Sequence, residues 1–541
     1  MLHALILTVI FAVPFFFDGL RFGSDTAFHI NRIESLYTAI RNRNFYPRVF
    51  LDQNYEYSYG SPLFYSVFFL YIPVLFRFLG ISPVVSYKLF LLLCVFCSAW
   101  SVQVLISRFT SKRLPLFFGA ALYLFNNLTF SDAFYRGALG EIMAFVFIPV
   151  LLLSFYEIFY EEGRRGYIRL ILGFSALLQC HNLSFLLMCF LFVLVILFHI
   201  RSLTLKRILG ILLCTGTAIL LNAFFLFPML EQLSLNIYRI NTYFANTISG
   251  VSLKEMFDFH MDGPFALTCG PVMILMPVLY LFVKKERYIT CSFLLSILCL
   301  VFSSNLIPWA KIPAASVLQW PGRFMIPMLA CVSLTAAYAV SRLDKKQVTC
   351  ALLGVLLIQT VYMDFCIISI GGPIRNDASP EQLKDVLYYQ GEGAKDAAWY
   401  NMNEVSSPEY LIRDAGINYR ENPRLILNKT TGNYPDIAGI WYNYIAFTPT
   451  EYGEYRIPYC YYRGYVAQVY IDWDYDRTIV TYPDLETGLT DFVLPEDIDL
   501  NREVVVSISY MSTGIQKASS LISAGSIILF LGYLIYTRKK A

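Results

Sequence analysis

Asp25, His29 and Arg32 stand at i, i+4 and i+7 in Phe22-Gly-Ser-Asp-Thr-Ala-Phe-His-Ile-Asn-Arg32, directly after the first apolar stretch of the chain. On a helix they share one face. A carboxylate, an imidazole and a guanidinium at a membrane surface can together hold a phosphate and a sugar. A solvated loop with ordinary interfacial charges is the plainer reading of the same spacing. Further polar residues stand at the ends of apolar runs: Arg136, Glu141, His181, Asn182 and Arg323. Ionisable groups at membrane depth are costly and usually functional.

Glycosyl transfer from a lipid phosphate needs such groups. A carboxylate deprotonates the acceptor, cationic side chains stabilise the departing phosphate, and apolar helices hold the prenyl tail. Asp25 is the first choice for the base, because burial near the lipid boundary tunes a carboxylate. Glu141 is the second, against the alternative of a helix N-terminal charge. Arg136, ahead of Gly137-Ala-Leu-Gly140, can clasp a phosphate bidentately or snorkel to headgroups. Arg323 in Leu318-Gln-Trp-Pro-Gly-Arg-Phe324 has the same two readings, with Pro-Gly marking a shaped turn. His181-Asn182 reads as a polar turn between short helices. Five histidines without a cluster at ligand spacing predict no metal and no cofactor. Asp472-Trp-Asp474-Tyr-Asp476 is a calcium candidate or a solvated turn.

The elements that must position these residues are mostly apolar. Of 541 residues, 57% are hydrophobic and 15% charged, with mean hydropathy +0.54. Soluble domains run at roughly 45–50% and 25%, so the composition is that of a polytopic membrane protein. A net charge of +3 gives no footprint for nucleic acid. Twelve cysteines fall mostly in apolar runs; Cys94 and Cys97 read as buried small hydrophobes. The start, Met1–Leu20, lacks a basic n-region and reads as an uncleaved first span. Candidate spans lie near 3–20, 62–80, 86–106, 114–130, 139–159, 168–180, 183–199, 207–228, 266–283, 288–303, 323–341, 347–369 and 517–537.

Basic loops assign the sides. Arg108–Arg113, Arg164-Arg165 with Arg169, Arg201 with Lys206-Arg207, Lys284–Arg287, Arg342–Lys346 and Arg538–Lys540 are each separated by two candidate spans. Arg136, Glu141, His181, Asn182, Glu231 and Arg323 then share the outer side. The parity of 62–80 decides where Asp25 falls: outside if that segment lies along the membrane, as Pro62, Pro73 and Arg77 suggest, and cytoplasmic if it spans. Residues 371–516 differ in kind. Gly439–Phe447, Gly464–Trp473, Thr478–Tyr482 and Glu503–Ser509 alternate apolar and polar residues between turn signals, which predicts a β-sandwich-like domain.

Together with Gly23-Ser-Asp25-x-x-x-His29-x-x-Arg32, five further stretches carry a resemblance. They are Tyr57-Ser-Tyr-Gly-Ser-Pro-Leu-Phe64, Tyr135-Arg-Gly-Ala-Leu-Gly-Glu141, His181-Asn182-x-Ser184, Asn222–Pro228 with Glu231, and Trp320-Pro-Gly-Arg323. The set resembles bacterial polytopic proteins grouped as "6-pyruvoyl-tetrahydropterin synthase-related" membrane proteins, which are similar in plan to GT-C glycosyltransferases and YfhO-like proteins. The resemblance implies an acidic catalytic residue in the first extracytoplasmic loop, here Asp25, with Ser61–Gly80 juxtamembrane. Many GT-C enzymes carry paired acids there, whereas Asp25 is followed by Thr26. Members using polyprenyl-monophosphate sugars generally need no metal, which suits a single acid.

The expected fold is an α-helical, GT-C-like polytopic membrane protein of about 12 spans plus a juxtamembrane segment, with a C-terminal extracytoplasmic β-rich domain. Its expected divisions are a transmembrane domain over 1–370 with first loop 21–85, a β-domain over 371–516, and a final helix and basic tail over 517–541. The expected activity is inverting, metal-independent transfer of a sugar from a polyprenyl-phosphate donor to an extracytoplasmic polymer or lipid in the bacterial plasma membrane. Asp25 is the expected base. Arg32, Arg136 and Arg323 would hold phosphate, and His29, Glu141, His181 and Asn182 would position substrate. A lipid-linked-sugar flippase and a non-catalytic envelope assembly factor are the alternatives; a flippase would call for internal repeats and mid-membrane charges.

Overall fold

The computed structural model describes residues 1–17, 20, 25–54, 56–161, 163–241, 248–257, 268–313, 315–370, 408–412 and 425–539. Residues 21–24 of the first-loop motif, and 371–407 and 413–424 of the expected β-domain, lie outside the described residues. The chain divides into two compact units. One comprises Met1–Ile30, Leu75–Ile219 and Phe244–Leu383; the other comprises Asn31–Val74, Leu220–Tyr243 and Lys384–Ala541.

The first unit is helical. At its centre lies Met325–Leu343, in which every side chain from Met325 to Ser341 is buried. Ala, Ser and Thr alternate there with larger apolar residues, and small side chains let helices approach closely. A side chain added at Gly119, on Arg113–Leu124, would run into Ala337 and Ile106. Pro83–Ile106 begins at Ser82, whose hydroxyl accepts from the Val85 amide, with Pro83 in the first turn where its missing N–H costs nothing.

Arg113–Leu124 does not continue straight. It turns by 52° into Asn127–Arg136. Asn126 accounts for the break: its Oδ1 accepts from the Thr129 amide at 3.0 Å and its Nδ2 donates to the Tyr123 carbonyl at 2.9 Å. One side chain thus satisfies a donor of the new helix and an acceptor of the old one. Ser131–Arg136 is a wide, π-helical turn, ended by Gly137 at φ +69°. A Cβ at 137 would collide with Thr26, so glycine answers both to the backbone angle and to the close approach.

By length and composition, five helices among the described residues can cross a membrane: Pro83–Ile106, Leu139–Glu161, Pro321–Leu343, Lys346–Ser369 and Gly514–Thr537. The number rises to seven if each of two bent pairs is one span, and several shorter apolar helices accompany them. The expected segment 62–80 is broken into Ser61–Phe64, Phe68–Leu70 and Tyr71–Phe78. The expected span 3–20 contains Leu2–Phe11 followed by a short turn at Val13–Phe16, where Pro14 interrupts the pattern.

Among the described residues, the second unit carries nine strands in two antiparallel sheets. β1 (Leu427–Asn428), β4 (Gly453–Cys460), β8 (Leu489–Leu494) and β7 (Tyr482–Pro483) form one, in that order. β2 (Asp436–Trp441), β3 (Tyr444–Thr448), β9 (Val504–Tyr510), β5 (Tyr465–Ile471) and β6 (Asp474–Val480) form the other. Phe447 meets Tyr455 and Phe492 across the interior at ring distances of 5.1 and 6.3 Å, so the two sheets pack face to face. The Asp472-Trp473 pair, at φ +50° and +70°, closes the β5–β6 hairpin as a two-residue turn. Asp472 pairs there with Arg502, so the acidic run holds a turn.

Aromatic rings hold the non-sheet parts of this unit. Phe64 stacks on Tyr410 at 5.0 Å and meets Tyr238 edge-on at 4.7 Å. The Glu231 carboxylate accepts from Thr513 Oγ1 at 2.9 Å and Gln516 Nε2 at 3.3 Å, tying Ala223–Leu235 to the start of Gly514–Lys539.

Candidate active site

The first unit brings Asp25, Arg136, Glu141, Arg323 and His181 into one neighbourhood. Thr26–Arg41 begins just after Asp25, and the Asp25 amide donates to the Arg136 carbonyl at 2.7 Å. The π-turn delivers Arg136 to a buried position, where its Nη1 meets Asp132 Oδ1 at 2.5 Å and Glu141 Oε2 at 2.9 Å. Glu141 lies in the first turn of Leu139–Tyr156, 2% exposed, and its other oxygen accepts from Arg323 Nε at 2.9 Å. Arg323 also donates from Nη1 to the Leu318 carbonyl and to Gln319 Oε1, both at 2.9 Å. Leu318 and Gln319 belong to the turn ahead of Pro321-Gly322, with Gln319 at φ +59°. Two carboxylates and two guanidiniums make a formally neutral cluster. Buried charges survive only when paired in this way.

His181 is the N-cap of Asn182–Phe198, its Nδ1 meeting Ser184 Oγ at 2.8 Å and the Ser184 amide at 3.3 Å. Burial lowers the imidazole from its ordinary 6.5 to about 4; the Glu141 carboxylate opposes that fall, and Arg323 and Arg136 reinforce it. The ring is therefore neutral at pH 7. Asn182 is the first residue of the helix that His181 caps. His29 is buried one turn beyond Asp25, with its amide bonded to the Asp25 carbonyl at 3.0 Å and its ring 5.2 Å from that of Phe28.

Arg32 belongs to the second unit. It is 0% exposed, and its Nη2 donates to the Tyr65 and Ser66 carbonyls, each at 2.7 Å, with the guanidinium 4.2 Å from the Tyr65 ring centroid. Those contacts hold the chain between Ser61–Phe64 and Phe68–Leu70.

Two charged residues of the first unit escape sequence reasoning. Asp132 is fully buried, and its only sequence signal is the i, i+4 spacing to Arg136. Lys88, 5% exposed on Pro83–Ile106, faces the Phe15 ring at 5.4 Å. It stands beside Tyr87, whose hydroxyl reaches the Gly137 carbonyl at 3.4 Å. Among the described residues, no three His, Cys, Asp or Glu side chains group in a way that could hold a metal ion.

An uncharacterized protein of Lactococcus lactis subsp. cremoris (strain MG1363) is 26% identical over 251 residues, which is 44% of this chain and 40% of that protein. The cryo-EM structure of arabinosyltransferase EmbB from Mycobacterium smegmatis aligns over 95% of this chain and 63% of its own, at 9% identity and a TM-score of 0.36. At that score the likeness bears on neither fold nor activity. The chain spans less than two thirds of the length of either relative. The family model described as "6-pyruvoyl-tetrahydropterin synthase related domain; membrane protein" matches residues 63–368, more than half of the 541. That stretch contains Arg136, Glu141, His181, Asn182 and Arg323, and the chain belongs to this family of membrane proteins.

Proposed function

We propose that this membrane protein is a glycosyltransferase that moves a sugar from a polyprenyl-phosphate donor to an extracytoplasmic cell-envelope acceptor with inversion at the anomeric carbon. The observation that supports the reading is the 2.7 Å bond between the Asp25 amide and the Arg136 carbonyl, which joins the backbone of the first-loop acid to the residue whose guanidinium shares Glu141 with Arg323. Asp25 takes the proton of an acceptor hydroxyl. The acceptor oxygen attacks the anomeric carbon opposite the phosphate, the carbon–oxygen bond to phosphate breaks, and the phosphate departs with the electron pair. Arg136 and Arg323 stabilise the charge that develops there. Glu141 holds both guanidiniums in place, and neutral His181, with Asn182 and His29, lines the approach. Arg32 takes no phosphate on this reading, its Nη2 being bonded to the Tyr65 and Ser66 carbonyls. Basic loops at Arg108–Arg113 and Lys284–Arg287 favour an outer-face site.

The test is transfer from a labelled polyprenyl-phosphate sugar by the full chain in lipid nanodiscs, supplied with envelope acceptor. Asp25→Asn should keep normal membrane levels and melting temperature and lose activity by about 10²–10⁴-fold, the usual worth of a general base. Retained turnover removes Asp25 from that role.

A further inference from the structure

Within the second unit, a hollow of about 300 Å³ opens where the loop 51–58 meets the β2–β3 hairpin. That is at the low end of the roughly 300–1,000 Å³ of small-molecule sites. Asp52, Glu56, Trp441, Tyr442 and Tyr459 line it. Trp441 is 48% exposed at the end of edge strand β2 and stacks on Tyr444 at 4.6 Å. The indole also lies over Gly439, where a Cβ would collide with it, so its plane is fixed. About half of this indole faces out beside the two carboxylates at the mouth of the hollow.

The loop is built, not slack. Asn54, Glu56 and Ser58 all adopt positive φ, at 57°, 68° and 66°, an angle uncommon for residues other than glycine. Phe50 and Tyr59 close it by paired backbone bonds of 2.9 and 2.8 Å. The Cys460 amide donates to the Tyr57 carbonyl at 2.6 Å, and Asn54 Nδ2 reaches Cys460 Sγ at 3.1 Å. Tyr465 OH bonds Ser58 Oγ at 3.1 Å, and Gln53 Nε2 bonds Ser35 Oγ at 3.0 Å. The carboxylates also lie close to the rings. Burial raises the Tyr442 hydroxyl and Asp52 adds to the rise; burial with Glu56 lifts Tyr459 to about 12.

We infer that this hollow is a saccharide-binding subsite, in which one sugar ring lies on the Trp441 indole and its hydroxyls donate to Asp52 and Glu56. A sugar offers an apolar C–H face to an aromatic plane and hydroxyl donors at its rim, and ionised carboxylates are the strongest acceptors for such donors. An anionic lipid surface also attracts exposed tryptophan, but two carboxylates at the same mouth oppose it. The role as acceptor subsite rests on the glycosyltransferase reading; the binding itself does not.

The experiment separates the two. The full chain in nanodiscs, without donor, is titrated with hexasaccharides of glucose, mannose and N-acetylglucosamine in α and β linkage, reading tryptophan fluorescence and calorimetry. At least one hexasaccharide should bind saturably. Trp441→Ala, and Asp52→Asn combined with Glu56→Gln, should each weaken it at least tenfold at unchanged melting temperature. Trp473→Ala, a 73% exposed tryptophan in the β5–β6 turn, should leave it unchanged. No saturable binding, binding indifferent to Trp441→Ala, or a Trp441→Ala defect seen only on phosphatidylglycerol vesicles overturns the inference. Binding without any transfer by the parent protein would sink the proposed function and leave this site standing.

Discussion

The Arg136 carbonyl accepts the Asp25 amide while the Arg136 guanidinium is gripped by Asp132 and Glu141. A shift of the guanidinium is therefore felt at the backbone that carries the first-loop acid. Asp132→Ala should lower kcat/KM for labelled donor by about 10–100-fold, since misplacement by about 1 Å costs on the order of 10². Asp132→Asn keeps an acceptor for Arg136 and should cost less.

Glu141 pairs with both guanidiniums. Glu141→Ala leaves two charges inside the protein with too few partners, and removing one partner of a buried pair costs roughly 3–5 kcal/mol. Denaturant unfolding in detergent should show a loss of that order. A cycle with Arg323→Ala should give a coupling of about 1–3 kcal/mol between positions 141 and 323.

Gly137→Ala places a side chain at φ +69° and against Thr26. The backbone angle alone costs about 1–2 kcal/mol. Gly216, in the interior of Leu205–Leu221 with open space around it, is the contrast: Gly216→Ala should stabilise by about 0.5–1 kcal/mol. Opposite shifts in melting temperature check the pair.

His181 falls from 6.5 to about 4 on folding. As pH drops, the unfolded chain takes up that proton first. The contribution to stability is complete above about pH 6.5 and is lost as pH falls towards 4. His181→Asn, which can still cap the helix, should flatten the dependence of melting temperature on pH between 7 and 4.5. An unchanged slope would show that the imidazole titrates normally.

Arg32→Lys keeps the charge and loses the planar fork that bonds two successive carbonyls. Melting temperature should fall, by the equivalent of about 1–3 kcal/mol for the unmet buried carbonyls. KM for the donor should stay unchanged in the folded fraction.

Low charge, high hydropathy and apolar run length made the membrane character legible, and alternation made four stretches of the β-domain legible. Gly439–Phe447 proved to be a hairpin, because Tyr442-Asn443 turns the chain without glycine or proline. β4 and β8 escaped. β4 contains Pro458 within a register shift between Ile457 and Cys460, and β8 is buried at five of its six positions, Asp491 included, so no in–out alternation marks it. Asp132 was hidden for a different reason. Its significance depends on the break at Asn126 and the π-turn Ser131–Arg136 beyond it, and periodicity in an apolar run carries no sign of either.

Glu141 meets Arg136 Nη1 and Arg323 Nε with separate oxygens. Each guanidinium thus keeps a fixed counter-ion inside the fold. On the glycosyltransferase reading, a donor phosphate binds cations whose charge that carboxylate already offsets, so modest donor affinity with easy product departure follows from the same ion pairs.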